Sequence, residues 1–186
     1  MAVVDILPPA VEPVALDYAK TFLRVDTDDD DVLIADFIKS ARIRVESITG
    51  GSLITRTRRY TSAKTEGRSV FLNHQSVDSI QAVRLVSNAE VIDIPLSSLT
   101  VNLRCQPPAI SLTERQSWSD YLPDFTSFEI DFTAGYGPAA ENVPMPLRQA
   151  ILLLLAQSYE FRDSERPAPL PMMVEALLMP HRTLRL

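Results

Sequence analysis

Residues 145–162 read MPLRQAILLLLAQSYEFR, and this stretch decides the fold. When it is wound as a helix at about 100° per residue, its apolar side chains fall on every side. A helix of this kind cannot lie on an open protein surface, because part of its apolar girdle would face water. We expect it to be covered both by its own domain and by another subunit, so the sequence predicts an assembling protein.

Composition excludes several classes of protein. Asp and Glu outnumber Lys and Arg by 24 to 18, which gives the 186-residue chain a net charge of −6 at pH 7. A surface that holds many phosphates needs the opposite balance, although DNA could pass nearby without being bound. The single cysteine, Cys105, excludes an intramolecular disulfide and favours a reducing compartment.

No membrane partner is expected from the hydropathy pattern. The longest unbroken apolar run, residues 150–156, has seven residues and is too short to cross a bilayer. Residues 1–14 contain no Lys or Arg and are interrupted by prolines and acidic residues, unlike a secretory signal peptide. We therefore expect a soluble protein that is not exported.

Helical periodicity runs through residues 13–49. The first part predicts a short helix, with a connector over residues 24–27, and the second part a longer helix that Gly50-Gly51 ends. Thr27 or Asp28 is the expected N-cap of the longer helix, and residues 29–31 are expected in its first turn. Apolar residues in this second helix alternate at spacings of four and three, which predicts a packed helical hairpin: Ile34, Ile38, Ala41, Val45 and Ile48.

The period changes to two over residues 52–136. Apolar and β-branched segments there are separated by Gly, Asn, Pro and Ser, which predicts antiparallel strands. The predicted strands cover residues 53–62, 77–87, 90–94, 109–112 and 128–133.

Helical signals return in the last third of the chain. The long helix over residues 145–162 is followed by a proline-rich break and a short last helix over residues 172–179. The sequence thus predicts an α+β fold, a helical bundle with a central antiparallel β insertion. The expected organisation is an N-terminal arm (residues 1–12), a helical bundle (residues 13–51 and 143–179), a β-rich insertion (residues 52–142) and a C-terminal tail (residues 180–186).

Catalytic chemistry is not indicated. Neither His74 nor His181 has a Cys, Asp or Glu at a spacing typical of a metal site or a catalytic triad. Cys105 lacks the flanking pattern of a nucleophile and is expected to be a small, partly buried thiol. We therefore expect no catalytic residue and no cofactor.

The acidic run over residues 26–31 suggests a calcium loop at first sight. Asp26, Asp28 and Asp30 occupy the first, third and fifth positions of an EF-hand loop. However, Asp31 stands where glycine is needed, and Phe37 stands where a bidentate Glu belongs. Helix capping explains the run better, so no metal ion is expected.

Five arginines could form a basic patch: Arg42, Arg44, Arg56, Arg58 and Arg59. Strand alternation puts Arg56 and Arg58 on one face, where solvent or the excess of acidic side chains would neutralise them. A phosphate-binding role is the alternative, and the overall charge opposes it.

Several motifs, in order, resemble the head-tail connector, or adaptor, family of tailed phages, prophages and phage-like gene transfer agents. The resemblance runs from about residue 14 to residue 182, and it rests on the order and spacing of the motifs rather than on any one of them. They are LDYAK (16–20), LRVD (23–26), DVLI (31–34), AR (41–42), VE (45–46), TG (49–50), AGYG (134–137), VPMPLRQA (143–150), YEFR (159–162) and ALLMPHR (176–182).

This resemblance implies a dodecameric ring beneath the portal protein of a capsid, in the neck of a virion or phage-like particle assembled in the bacterial cytoplasm. The ring would extend the DNA channel, let DNA pass without specific binding, and offer a platform for the next tail component. It implies no catalytic residues. In related connectors the C-terminal segment reaches into the portal, which corresponds by position to Pro180, His181, Arg182, Thr183, Leu184, Arg185 and Leu186.

The large β zone is a departure from shorter members of the family, and what it contacts is left open. On the long helix, we expect the subunit interface to include Leu152, Leu153, Tyr159 and Phe161. The alternative to a connector is a generic oligomeric assembly protein or a DNA-binding regulatory protein, with an enzyme last.

Overall fold

A computed structural model describes residues 2–65, 67–113, 116–162 and 169–182. Its elements show a mixed α and β protein, which confirms the predicted α+β class. In chain order they are β1 (Ala2–Asp5), α1 (Leu16–Leu23), α2 (Asp31–Thr49), β2 (Arg56–Ala63), β3 (Ser69–Phe71), β4 (Val77–Val86), β5 (Val91–Ile94), β6 (Leu99–Asn102), β7 (Ala109–Leu112), α3 (Trp118–Tyr121), β8 (Ser127–Ala134), α4 (Met145–Glu160) and α5 (Met172–Leu178).

The chain divides into two compact units. The β unit consists of Met1–Pro8 and Thr55–Gly135, and the helical unit consists of Pro9–Ile54 and Tyr136–Leu186. The helical unit also contains two short 3-10 turns, Ala140–Asn142 and Met179–His181. In the part of the chain that the structure describes, no helix combines the length and hydropathy needed to cross a membrane.

Helix α4 lies at the centre of the helical unit. It packs along α2, and both α1 and α5 pack against this pair. Six of its side chains are buried in the unit's hydrophobic cluster: Leu147, Ala150, Ile151, Leu152, Leu154 and Leu155. The apolar girdle that we expected to need a second subunit is therefore largely covered within the chain. Periodicity shows that a helix needs cover on all sides, but not which chain supplies it.

The start of α2 differs from the predicted cap. Asp30 is the N-cap and makes no side-chain capping hydrogen bond, and Asp31 is the first helical residue, so the expected caps Thr27 and Asp28 lie before the helix. The reason is an ion pair from the neighbouring helix. Lys20 of α1 lies 2.6 Å from a carboxylate oxygen of Asp28 and 2.7 Å from one of Asp31. Both carboxylates therefore point towards Lys20.

Both helices of the hairpin end in a left-handed residue. Arg24 follows α1 with φ 60°, and Gly50 follows α2 with φ 77°. The Gly50 amide donates to the carbonyl of Glu46 at 2.8 Å, the hydrogen bond expected of a helix terminator. The predicted end of the second helix is confirmed.

The β unit contains two antiparallel sheets. The larger has the strand order β1-β2-β8-β4-β5 and the smaller has the order β3-β7-β6. In the larger sheet β8 is central, with Tyr60 of β2 and Val83 of β4 both opposite Ile130. The strands predicted from alternation are confirmed as β2, β4, β5, β7 and β8, with small shifts at their ends.

Three strands were not predicted, β1, β3 and β6. Each has only three or four residues. β5 and β7 are also only four residues long but were recognised from the sequence, so length alone does not explain the difference. Each is defined by pairing with a strand elsewhere in the chain: β1 pairs with β2, and both β3 and β6 pair with β7. Part of the expected N-terminal arm is therefore a sheet strand.

One hydrophobic cluster joins the inner side chains of the two sheets. The larger sheet contributes Phe128, Ile130 and Phe132, all fully buried, and the smaller sheet contributes Val70 and Ile110. The ring of Trp118 in α3 meets that of Phe128 edge to face, with centroids 5.1 Å apart. The β unit therefore has its own core, which the aromatic residues of β8 organise.

Strand β1 is fixed to the larger sheet by a carboxylate as well as by its backbone. Asp5 lies 3.0 Å from Nε of Arg56 and 2.6 Å from Nε of Arg58. The Arg56 side chain is buried, and the Asp5 carboxylate helps to compensate its charge where water cannot reach it.

We predict that Asp5→Asn lowers the free energy of unfolding by about 1–3 kcal/mol, because the buried Arg56 charge loses its carboxylate while Asp5 itself is partly solvated. Urea denaturation measures the change. Asp93→Asn is the matched control, since Asp93 also pairs with an arginine, Arg84, at 2.9 Å, but its side chain is 77% exposed against 33% for Asp5. The control should cost less than about 1 kcal/mol. Equal losses in the two variants would contradict the anchoring role of Asp5.

Candidate functional site

The acidic run before α2 is used in ion pairs and hydrogen bonds. Hydrogen bonds to Asp28 and Asp31 raise the pKa of Lys20, and the same Lys20 contact lowers the pKa of Asp28. The hydroxyl of Tyr159 in α4 donates to Asp30 at 2.5 Å. Within the described ranges, no group of three or more His, Cys, Asp or Glu side chains is placed to hold a metal ion. The run joins α1 and α4 to the start of α2.

His74 lies in the loop between β3 and β4 and is buried. Its Nε2 is 3.0 Å from a guanidinium nitrogen of Arg58, and its Nδ1 is 2.6 Å from the carbonyl oxygen of Gln75. An arginine can only donate and a carbonyl can only accept, so the neutral ring carries its proton on Nδ1. The ring also meets Phe132 edge to face, with centroids 5.1 Å apart. These contacts give His74 a structural role in the β unit.

Cys105 lies in the loop between β6 and β7 and is partly exposed. Its sulfur is 3.2 Å from the carbonyl oxygens of both Asn102 and Pro107. These backbone contacts hold the side chain against its own loop.

The arginines of the larger sheet are paired with carboxylates. Arg59 makes a two-point contact to Asp131, at 2.7 and 3.0 Å, and Arg84 reaches the same carboxylate at 2.8 Å. A guanidinium held in this way already has its acceptors, so binding a phosphate would require breaking a charge-assisted pair. The structure therefore favours internal neutralisation over the phosphate-binding alternative.

A buried arginine in the helical unit is also paired with carboxylates. Arg42 of α2 is buried, and it donates to Glu12 at 2.7 Å and to Glu46 at 3.0 Å. The other oxygen of Glu46 accepts from the amide of Leu53 at 2.9 Å. Because Glu12 lies before α1 and Leu53 lies after α2, this network fixes both ends of the hairpin to α2.

The four expected interface residues lie in different environments. Leu152 is 4% exposed and lies in the core of the helical unit, so its own chain already covers it. Leu153 and Tyr159 are partly buried and pack against that core. Phe161, just after α4, is 55% exposed. Of the four, Phe161 has the apolar surface that a second subunit could cover.

The described part of the C-terminal tail continues directly from α5. Pro180 and His181 belong to the 3-10 turn Met179–His181, and Arg182 follows in an extended, exposed conformation. Thr183, Leu184, Arg185 and Leu186 lie outside the described residues.

Two apolar surfaces of the helical unit were not predicted from the sequence. The first, which we call the α1 surface, consists of Tyr18 and Phe22, both exposed, and an open cleft of about 470 Å³. The second, the α5 surface, consists of Met172, Met173 and Met179, which are 87%, 61% and 71% exposed. The cleft is lined by Val11, Glu12, Val14, Ala15, Leu16, Ala35, Ile38 and residues 138–141.

A sequence signal existed for both surfaces. Tyr18 and Phe22 are four residues apart, so they share a helix face other than the one buried through Ala19. The methionines flank Val174 and Leu178, which take the buried positions of the last helix. Exposed and buried apolar residues have the same period in a helix, and the sequence does not say which set faces the core.

Two kinds of comparison with known proteins found similar proteins, and a third found none. Residues 14–89, which include α1, α2 and β2 to β4, match the family model of the phage gp6-like head-tail connector protein. No curated protein matches the sequence at a significant level.

Solved structures extend the similarity to the whole chain. A chain in the neck of an empty gene transfer agent (GTA) particle, computed with C6 symmetry, is 24% identical with a TM-score of 0.79. A chain in the virion of a native GTA particle is 26% identical with a TM-score of 0.78, and one in the neck of a native GTA particle, computed with C12 symmetry, is 26% identical with a TM-score of 0.74. Each comparison covers 100% of this chain and 97% of the other.

These matches define a class of protein, the neck proteins of phage-like particles, whose fold this chain shares from end to end. Within that class, the family match confirms the resemblance to head-tail connector proteins that the sequence motifs indicated.

We predict that Leu152→Ala lowers the free energy of unfolding by about 2–5 kcal/mol, since it removes a buried side chain and leaves a cavity. Phe161→Ala, at the exposed end of the same helix, should change it by no more than about 0.5 kcal/mol. Denaturation of the two variants side by side checks this. A small effect at Leu152 would mean that its own chain does not cover it in solution.

We predict an acid-dependent contribution from Asp131. The hydrogen bond from Arg59, with a second one from Arg84, holds the pKa of Asp131 below its ordinary value of 3.8, against the opposing effect of burial. A lowered folded-state pKa stabilises the protein above about pH 4, and this stability is lost as the pH falls through the folded-state value. The difference in unfolding free energy between wild type and Asp131→Asn should therefore narrow below about pH 4. A difference that stays constant from pH 7 to pH 3 would contradict this.

Proposed function

We propose that this chain is a structural head-tail connector, or adaptor, subunit in the neck of a phage or phage-like gene transfer particle. The similarity over the full length to chains of GTA necks and virions carries the proposal, and the head-tail connector family match over residues 14–89 supports it independently. The role is structural, and no catalytic residue is part of it.

The neck structures with similar chains were computed with C6 and C12 symmetry, which supports a ring oligomer in the particle neck. We propose a dodecamer as its form. A closed ring of more than two subunits joins two unlike faces of each subunit, so every copy must offer two different contact surfaces. Of the four residues expected at the interface, Phe161, just after α4, best fits such a contact because its ring is exposed, whereas Leu152 is buried in the core of its own chain.

We propose that the ring binds the portal protein on one side and the next tail component on the other. The tail over residues 180–186 would enter the portal, and repetition around the ring would make many weak contacts act together. The helical unit would form the body of the connector, and the β unit would be an insertion that contacts the downstream component.

DNA would pass through the ring without being held. The net charge of −6 and the pairing of the sheet arginines with Asp131 oppose tight phosphate contacts. Contacts that release counterions would slow the passage of DNA, so a weakly interacting wall suits a channel. The same observations disfavour the alternative of a DNA-binding regulatory protein.

We predict that deleting residues 182–186 leaves the fold intact and weakens docking to the portal. The deleted residues follow the last described turn, so thermal unfolding and circular dichroism should match the wild type. The amount of the chain that co-purifies with particles should fall severalfold, since each copy loses its contact and the ring multiplies the loss. Quantitative blotting of purified particles measures it.

Arg104→Ser is the matched control, because it removes a positive charge from an exposed loop outside the tail. It should leave incorporation unchanged. Normal docking of the truncated chain would contradict the role of the tail. Absence of the wild-type chain from particle necks, or steeply salt-dependent binding to duplex DNA, would contradict the connector role itself.

A further inference from the structure

We propose that neighbouring subunits join head to tail, with the α5 surface of one copy packed against the α1 surface of the next. The inference rests on the proposed ring and adds to it the two contact surfaces. The occupant of each surface is a second copy of this chain.

The α1 surface combines a concave part with an aromatic part. Ala15, the N-cap of α1, and Leu16 line the cleft, and Tyr18 and Phe22 are exposed further along the same helix, four residues apart on one face. The cleft is lined mainly by small and aliphatic side chains and has a volume of about 470 Å³. Such a volume can accept more than one flexible side chain from a partner.

The α5 surface is chemically suited to the α1 surface. Val174 and Leu178 fix α5 in the core of the helical unit, which leaves Met172, Met173 and Met179 facing outward. Methionine is unbranched and adapts to irregular cavities, and its sulfur makes favourable contacts with aromatic rings. Three exposed methionines therefore suit a surface that offers both an apolar cleft, at the start of α1, and the exposed rings of Tyr18 and Phe22 on the same helix.

Each surface also has an exposed charged residue beside it, and the two charges are opposite. Arg24, two residues after Phe22, is exposed, and Glu175, between the methionines of α5, is exposed as well. Opposite charges at the margin of an apolar contact select its orientation more than they add to its strength.

The symmetry of a ring decides whether two identical surfaces or two different surfaces meet between neighbouring subunits. If two α1 surfaces met each other, the contact would be self-complementary and assembly would stop at a dimer. A ring in the neck needs a head-to-tail contact between two different surfaces. The helical unit has such a pair, because α1 and α5 are separate helices that each pack on α2 and α4.

Thiol cross-linking in assembled particles tests the proposal. In a chain with Cys105→Ser, the pair Tyr18→Cys and Met173→Cys places one thiol on each surface. After treatment with a short bismaleimide, the double variant should give a ladder of covalent multimers on a denaturing gel. Each single variant should stay monomeric, and particles that contain both single variants together should give dimers and nothing larger.

The single variants, alone and mixed in one particle, distinguish head-to-tail contact from other arrangements. Dimers in either single variant would mean that like surfaces meet, and a monomeric double variant in normally assembled particles would mean that the surfaces do not meet. Either result overturns the proposal. The pair Phe22→Cys and Met172→Cys repeats the test at a second point of the same contact. Absence of even the wild-type chain from particles would instead overturn the proposed function.

Discussion

The enclosure of α4 by α1, α2 and α5 is the constraint on which the rest of the helical unit depends. A fully buried leucine or isoleucine contributes roughly 1.5–3 kcal/mol, and α4 buries several of them at once. Each covering helix packs one of its faces against α4 and its neighbours. The faces left over on α1 and α5 are therefore the ones available to other molecules, and both carry large apolar side chains.

Electrostatics has a comparable role in suppressing unwanted contacts. The buried Arg42 is shared between Glu12 and Glu46, and the sheet arginines Arg59 and Arg84 share Asp131. These pairs neutralise the side chains that could otherwise bind phosphates. For the connector proposed above, internal use of positive charge would keep contacts with the DNA backbone weak.

Sequence periodicity predicted the long helices and the longer strands, because many residues contribute to each pattern. It missed β1, β3 and β6, which are defined by pairing with a strand elsewhere in the chain, although it found the equally short β5 and β7. The cap of α2 was wrong for a similar reason, since Lys20 of another helix takes Asp28 and Asp31. For the candidate site, the order of the motifs indicated the resemblance to the connector family. The exposed aromatic residues of α1 and the exposed methionines of α5 were not recognised from the sequence.

The sequence by itself determined that α4 must be covered all round, that the chain is α+β, and that its motifs follow the order of head-tail connectors. These properties depend on composition and spacing along the chain. Only the tertiary structure showed that α4 is covered mainly by its own unit. It also showed which apolar side chains remain exposed to solvent. The reason is physical: the same 3.6-residue period describes every apolar helix face, and only packing against particular neighbours assigns one face to the core and leaves another to a partner.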